Sequence, residues 1–380
     1  MKTLKGMSFF LALSLVSFAS SYFLKIGNFY SMSFFITFVF FIFFTIFSLV
    51  FVFEVRNFRL SFMYEDLFPY FIFVVSWFWL LLTDVNKDSI FFLVQLTVYS
   101  VVPYFLIRAA MNNVFDKVFF FKMLSYASLL VLVIGIFHSL FVVGIEELLI
   151  RARLGGELIN PVGLASIFFI LIVFMTLGMV DTSFIKFTIL FLSIILLLTL
   201  LYLTGSRASM LAALTFFLIL LITSSKRMFL VGMLITVLVS FILFLLDVSA
   251  LNERYSNPLE SGSVLERVEL YAIAIDMVSV KPFVGWGTYA YQNYTEGSYP
   301  HNLMLELFVS FGVLGLSFFI LLVLLVLFRI CTQKNIYLRI FLSSIFSVLL
   351  IKMFSFNLAQ LKDVFILLSL YASSSRAFNN

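Results

Sequence analysis

Cysteine is nearly absent from this chain. Cys331 stands alone, so no disulfide can form within the molecule and a thiolate metal site has no second ligand of its kind. Histidine is almost as scarce, with His138 and His301 the only two. Charged residues are 11% of the 380 positions against 63% hydrophobic ones, and mean hydropathy is +1.17. A water-soluble domain of this length cannot carry that balance on its surface. The sequence pI of about 9.1 is assigned to basic loops on one side of a membrane, not to nucleic-acid binding. No P-loop, no Asp-x-Asp motif and no clustered His, Cys and acidic residues are found, so neither metal nor any other cofactor is expected.

What the chain has in abundance is long apolar runs. Stretches of membrane-crossing length lie at about 7–24, 33–53, 67–83, 89–107, 123–143, 161–180, 185–203, 208–223, 228–247, 303–328, 337–354 and 358–373. The expectation is an all-α polytopic membrane protein with about 12 transmembrane helices, forming a single integral membrane domain over 1–380. The first run, with Lys2 and Lys5 ahead of it, has the look of a signal peptide and is read as a retained first helix. The 53 phenylalanines are assigned to lipid-facing and packing positions.

Placing the N-terminus in the cytoplasm puts most lysines and arginines on the inner side, among them Arg56, Arg59, Arg108, Lys117, Lys122, Lys226, Arg227, Arg329, Lys334 and Arg339. The exceptions are Arg151, Arg153, Arg207, Arg254 and Arg267, on the outer side, where a basic residue has no topogenic advantage. Two outer segments are long, 144–160 and 248–300. The second has enough apolar and aromatic residues to fold into an ordered extracytoplasmic loop with short helices of its own.

Within that loop Val264, Val268, Tyr271, Ile275 and Val278 recur at helical spacing, Ser263 and Glu266 form a capping-box pattern, and Lys281-Pro282 stops the helix. Glu266 then has a structural explanation. Arg267 sits near the positive end of that helix's dipole, which calls for a nearby anion, either Glu266 or Glu269 or a bound phosphate. In Thr204-Gly-Ser-Arg207-Ala-Ser209, Gly205 makes a turn and Arg207 heads the next helix; free amides and a planar guanidinium there suit phosphate oxygens, while a snorkelling arginine is the plainer alternative. His301 precedes a long apolar helix that Asn302 can cap. A dipole at that position favours neutral imidazole, the form a general base requires, although a lone histidine also serves structure, as His138 is expected to do inside the fifth run.

Taken in order, Thr204-Gly-Ser-Arg207-Ala-Ser209, then Arg267 and Tyr271, then Pro282-Phe-Val-Gly-Trp-Gly287, then His301-Asn302 with Glu306 and Gly312-Val-Leu-Gly315, resemble the O-antigen ligase and polymerase superfamily. The resemblance covers about 200–316. Arg151-Ala-Arg153-Leu-Gly-Gly156, with Asn160-Pro161 and Ala165, is similar to the segment ahead of the middle spans in that family, with Val162 where many members carry asparagine.

The resemblance implies an inverting, metal-independent glycosyltransferase of the bacterial cytoplasmic (inner) membrane, with its active site on the extracytoplasmic side. It implies donor and acceptor glycans linked to undecaprenyl pyrophosphate, a membrane-lipid environment, and a chain-length regulator as a candidate protein partner, with no nucleic acid. Arg207, Arg267 and His301 are the expected catalytic residues; Arg151, Arg153, Tyr271 and Asn302 are expected to bind substrate. Polymerisation of O-antigen or capsule repeat units is preferred over ligation to lipid A core. A flippase for lipid-linked sugars is the rival from another class. It would need a polar path at mid-membrane, for which the sequence offers chiefly Gln95 and His138.

Overall fold

A computed structural model describes residues 2–20, 30–55, 63–82, 87–112, 114, 116–138, 161–180, 182–223, 262–355 and 358–379. The elements are α1 (Lys2–Ala19), α2 (Tyr30–Val55), α3 (Leu67–Leu82), α4 (Lys87–Leu96), α5 (Val102–Asn112), α6 (Lys117–His138), α7 (Pro161–Met179), α8 (Phe184–Leu203) and α9 (Arg207–Thr223). They continue with α10 (Gly262–Val280), α11 (Ala290–Tyr294), α12 (Leu303–Thr332), α13 (Ile336–Phe354) and α14 (Lys362–Asn379).

The protein is an all-helical, multi-pass membrane protein. Among the described residues, 6 helices are long and apolar enough to span a bilayer, and Met7–Ala19, Val39–Val50 and Arg207–Thr223 are shorter apolar helices. Every expected run has a helix at its position except 228–247, which lies outside the described residues, as do Arg151, Arg153, Arg254 and the side chain of His138.

Hydropathy alone does not separate core helices from lipid-facing ones; packing does. The most apolar window of α7 is 89% buried, against 33% in α8 and α12, so α7 is the central post and the other two face lipid. It packs on α6, α8 and α13. Pro161 opens α7 at the position where a missing N–H leaves no helical bond unmade. α4 and α5 form one continuous rod interrupted by a π-turn over Thr97–Val101, immediately ahead of Pro103, whose ring cannot meet a carbonyl four residues back in regular geometry.

Side-chain contacts show which helix ends share a face. At one end the start of α3 meets the end of α5 through Asp66 and Arg108, and the end of α12 meets the same region through Arg329 and Glu65. At the other, Lys352 at the end of α13 pairs with Asp363 at the start of α14, and Lys362 donates to the carbonyl of Phe18 at the end of α1. Strict alternation of the spans, as the distribution of basic residues implies, brings these same ends together.

A small second core stands apart from the main one. Leu270, Ala274 and Met277 on one face of α10 enclose Tyr291 and Val309. α10, α11 and the first turns of α12 therefore form a cap at the end of the bundle where α13 ends and α14 starts. α10 begins at Gly262, so Ser263 lies inside its first turn and not before it, and the capping-box side chain falls outside the described part.

Candidate active site

The cap is fastened to the bundle through a break in α12. The sequence reads 303–328 as one uninterrupted apolar helix, but Gly312 has φ 63° and ψ −153°. A break there frees carbonyls and an amide that would otherwise bond within the helix. The Pro282–Gly287 loop takes up three of them: Val313 N–H donates to the Pro282 carbonyl at 2.8 Å, Trp286 N–H to Val309 at 2.8 Å and Gly287 N–H to Ser310 at 2.9 Å.

Glycine is required on both sides of this seam. A Cβ on Gly312 would lie 2.3 Å from the Phe283 carbonyl oxygen, and one on Gly285, at φ +72°, would lie 2.5 Å from the Ser310 carbonyl. The two glycine-containing segments are thus halves of one joint, separated in sequence but bonded backbone to backbone. Beyond the break, Val313 to Thr332 extends about 30 Å, by itself the thickness of a bilayer's hydrocarbon core.

Further contacts set the angle of α10. Pro282, lacking an N–H, ends the helix, and the Trp286 indole donates to the Met277 carbonyl at 2.6 Å, satisfying a last-turn acceptor. The Lys281 ammonium lies 4.0 Å from the centre of the Trp286 ring. Tyr291 donates its hydroxyl to the Leu270 carbonyl at 2.7 Å; burial, then Glu306, push this phenol up to about 12, so it stays protonated and remains a donor.

His301 sits on the turn that enters α12. Its φ of 51° is left-handed, a conformation that costs an ordinary residue about 1–2 kcal/mol and persists only where its surroundings enforce it. The Tyr299 ring lies 4.1 Å from the imidazole, centre to centre, and Asn302 caps the helix by accepting from Leu305 N–H at 3.2 Å. Burial holds the His301 imidazole below its ordinary range; Arg267 pushes the same way and Glu266 opposes it. Both charged groups stand on the first turns of α10, so the structure brings Arg267, Glu266 and His301 together. Arg267 and His301 are half-buried, and Tyr271, also half-buried, lies one turn further along α10.

Arg207 is built differently. Gly205, with φ 63°, makes the turn after α8, and Arg207 opens α9 as the sequence suggests. The helix start is less free than expected: Ser206 accepts the Ser209 N–H at 3.4 Å and donates its hydroxyl to Ser209 at 3.0 Å, so one first-turn amide is already used. α9 packs chiefly on α13 and α7, α10 packs on α12, and α13 lies against both α9 and α12. The cap thus carries Arg267 and His301 within electrostatic reach of each other, while Arg207 belongs to a neighbouring helix pair.

Residues 192–320 match the O-antigen ligase family. That segment holds Arg207, Arg267, Tyr271, His301, Asn302 and both halves of the glycine joint, so the resemblance seen in the sequence stands over the part of the chain that carries the cap. Arg151 and Arg153 precede it. No curated protein matches the chain.

Sequence reasoning gave Glu306 no role. It is 1% exposed, accepting from the Gln292 side chain at 2.9 Å and from Leu358 N–H at 2.7 Å. An acidic residue in an apolar helix was the available signal; Gln292, on a loop rich in polar residues, offered none.

Proposed function

We propose that the protein is an inverting glycosyltransferase that polymerises oligosaccharide repeat units carried on undecaprenyl pyrophosphate, at the outer face of a bacterial inner membrane. The observation that carries this reading is the placement of Arg267 within electrostatic reach of a half-buried His301 inside the family-matched segment. In the transfer, an acceptor hydroxyl oxygen attacks the anomeric carbon of the donor from the face opposite the pyrophosphate. The new C–O bond forms as the carbon–pyrophosphate oxygen bond breaks, and undecaprenyl pyrophosphate departs with the electron pair. His301, kept neutral by its surroundings, takes the hydroxyl proton. Arg267, with Arg207 from the neighbouring helix, balances the charge on the departing pyrophosphate. Arg151, Arg153, Tyr271 and Asn302 are assigned to substrate binding, although the Asn302 side chain also caps α12.

Ligation of finished glycan to lipid A core uses the same donor chemistry and is the second reading. The two leave different products behind. A polymerase-deletion strain of a lipopolysaccharide-making host still attaches one repeat to its core; a ligase deletion leaves the core bare and accumulates long glycan on the lipid carrier. A bare core with accumulated polymer would replace polymerase by ligase, and an unchanged glycan profile would count against both. Arg207→Ala and Arg267→Ala should each abolish transfer at normal expression, with lysine restoring only part of it, because an ammonium cannot supply the bidentate fork.

A further inference from the structure

We infer that Glu306 is a positioning residue that holds His301 in place, an inference that rests on the reading of His301 as the proton acceptor. Glu306 lies just beyond His301 on the first turns of α12, and its own N–H donates to the Asn302 carbonyl at 3.0 Å, the bond that starts the helix directly after His301. Its side chain is fully enclosed and spends both carboxylate oxygens on different segments. One accepts the Gln292 amide from α11, and the other accepts the backbone N–H of Leu358, in the turn that leads into α14.

One carboxylate therefore pins three pieces of chain: α11, the entry to α12 and the turn before α14. Both oxygens accept from the protein's own chain. The consequence falls on a neighbour. His301 is held at a left-handed φ that its own backbone does not favour, and the fixed positions of Asn302 and Glu306 enforce that turn. Losing the clasp lets the turn relax and carries the imidazole away from Arg267 and Glu266 on α10, and from the Tyr299 ring, the groups that face it.

With His138 and His301 the only histidines, protein labelled with isotopic nitrogen in histidine and studied by NMR reports the His301 titration directly, His138→Gln identifying the second signal. Glu306→Ala should raise the His301 midpoint towards the ordinary value of about 6.5. It should also slow transfer about 100-fold, the scale of a small misplacement of a reacting group, with lipid-linked repeat units extracted from the deletion strain as substrate. Glu306→Gln keeps an acceptor for Leu358 and lets the Gln292 amide turn to match, so it should retain the wild-type midpoint and most of the rate. Should Glu306→Ala fail to fold, Gln292→Ala severs one of the two bonds and should move the midpoint the same way by less. A His301 midpoint unmoved in the alanine variants, or displaced as far by glutamine as by alanine, overturns the inference. Because the midpoint is read without substrate, that failure is distinct from failure of the proposed chemistry, which would appear as full transfer by His301→Ala.

Discussion

Two joints of the bundle, the Asp66–Arg108 pair and the seam between the Pro282–Gly287 loop and α12, are made by different means. At the end away from the cap, Arg108, 1% exposed, places its Nε and Nη2 on the two oxygens of Asp66 at 3.1 and 3.0 Å. The same carboxylate accepts from the Tyr104 hydroxyl and from Met63 N–H, and Ser373 meets Arg108 from α14. These charges are spent on each other. At the seam between the cap loop and α12, the bonds run backbone to backbone across two glycine turns, and Arg267 and His301 nearby are half-buried. Along α3 the two regions are about 15 Å apart, measured from Asp66 to Ser76, whose carbonyl receives the Thr288 hydroxyl of the cap loop. Buried charge locks the first joint, whereas the second is neutral backbone whose fit depends on two glycines; the buried Lys352–Asp363 pair and Glu306 lie beside it, at the ends of α13 and α12.

Asp66→Ala should produce the largest loss of stability, because it takes the carboxylate partner from a buried guanidinium, at a cost of about 3–5 kcal/mol. Thermal unfolding in nanodiscs measures it, and the folded fraction should keep its transfer rate. Gly312→Ala should cost less stability, about 1–3 kcal/mol for strained backbone and a displaced loop, yet remove most activity because the cap separates from α12. Equal losses of stability and activity in both variants would erase the contrast between the two joints.

A smaller effect sharpens the comparison within the cap. Glu266 raises the affinity of His301 for a proton, so Glu266→Gln should lower the midpoint and move the acid limb of the pH–rate profile to lower pH. Arg267→Gln removes an opposing charge and should move the His301 titration to higher pH. Shifts of the same sign in both variants would break the arrangement of charges described around His301.

Much of the fold was legible in the sequence because apolar runs of bilayer length leave the chain few alternatives, and α10 was legible from its spacing and from Pro282. The Gly205 turn and the start of α9 at Arg207 followed from local chemistry in the same way. The joint was only half legible. Glycines at 285 and 312 were visible in the family resemblance, but their purpose lies in backbone bonds between segments some thirty residues apart in the chain, which no side-chain pattern announces. The Gly312 break was hidden because an apolar run looks the same whether its helix is continuous or interrupted. At α9 the reason is of another kind: Ser206 reads as one more small residue of the motif, and its bond with the Ser209 amide depends on local geometry. Glu306 escaped because a carboxylate's partners, here Gln292 and Leu358, are set by tertiary packing.

The central claim is that the cap end, through His301, performs the transfer. The most direct measurement is the surface glycan profile of a deletion strain complemented with His301→Ala at normal expression and membrane insertion. The expected result is the deletion pattern, a core bearing a single repeat with no longer chains. Wild-type chain lengths from that variant would contradict it.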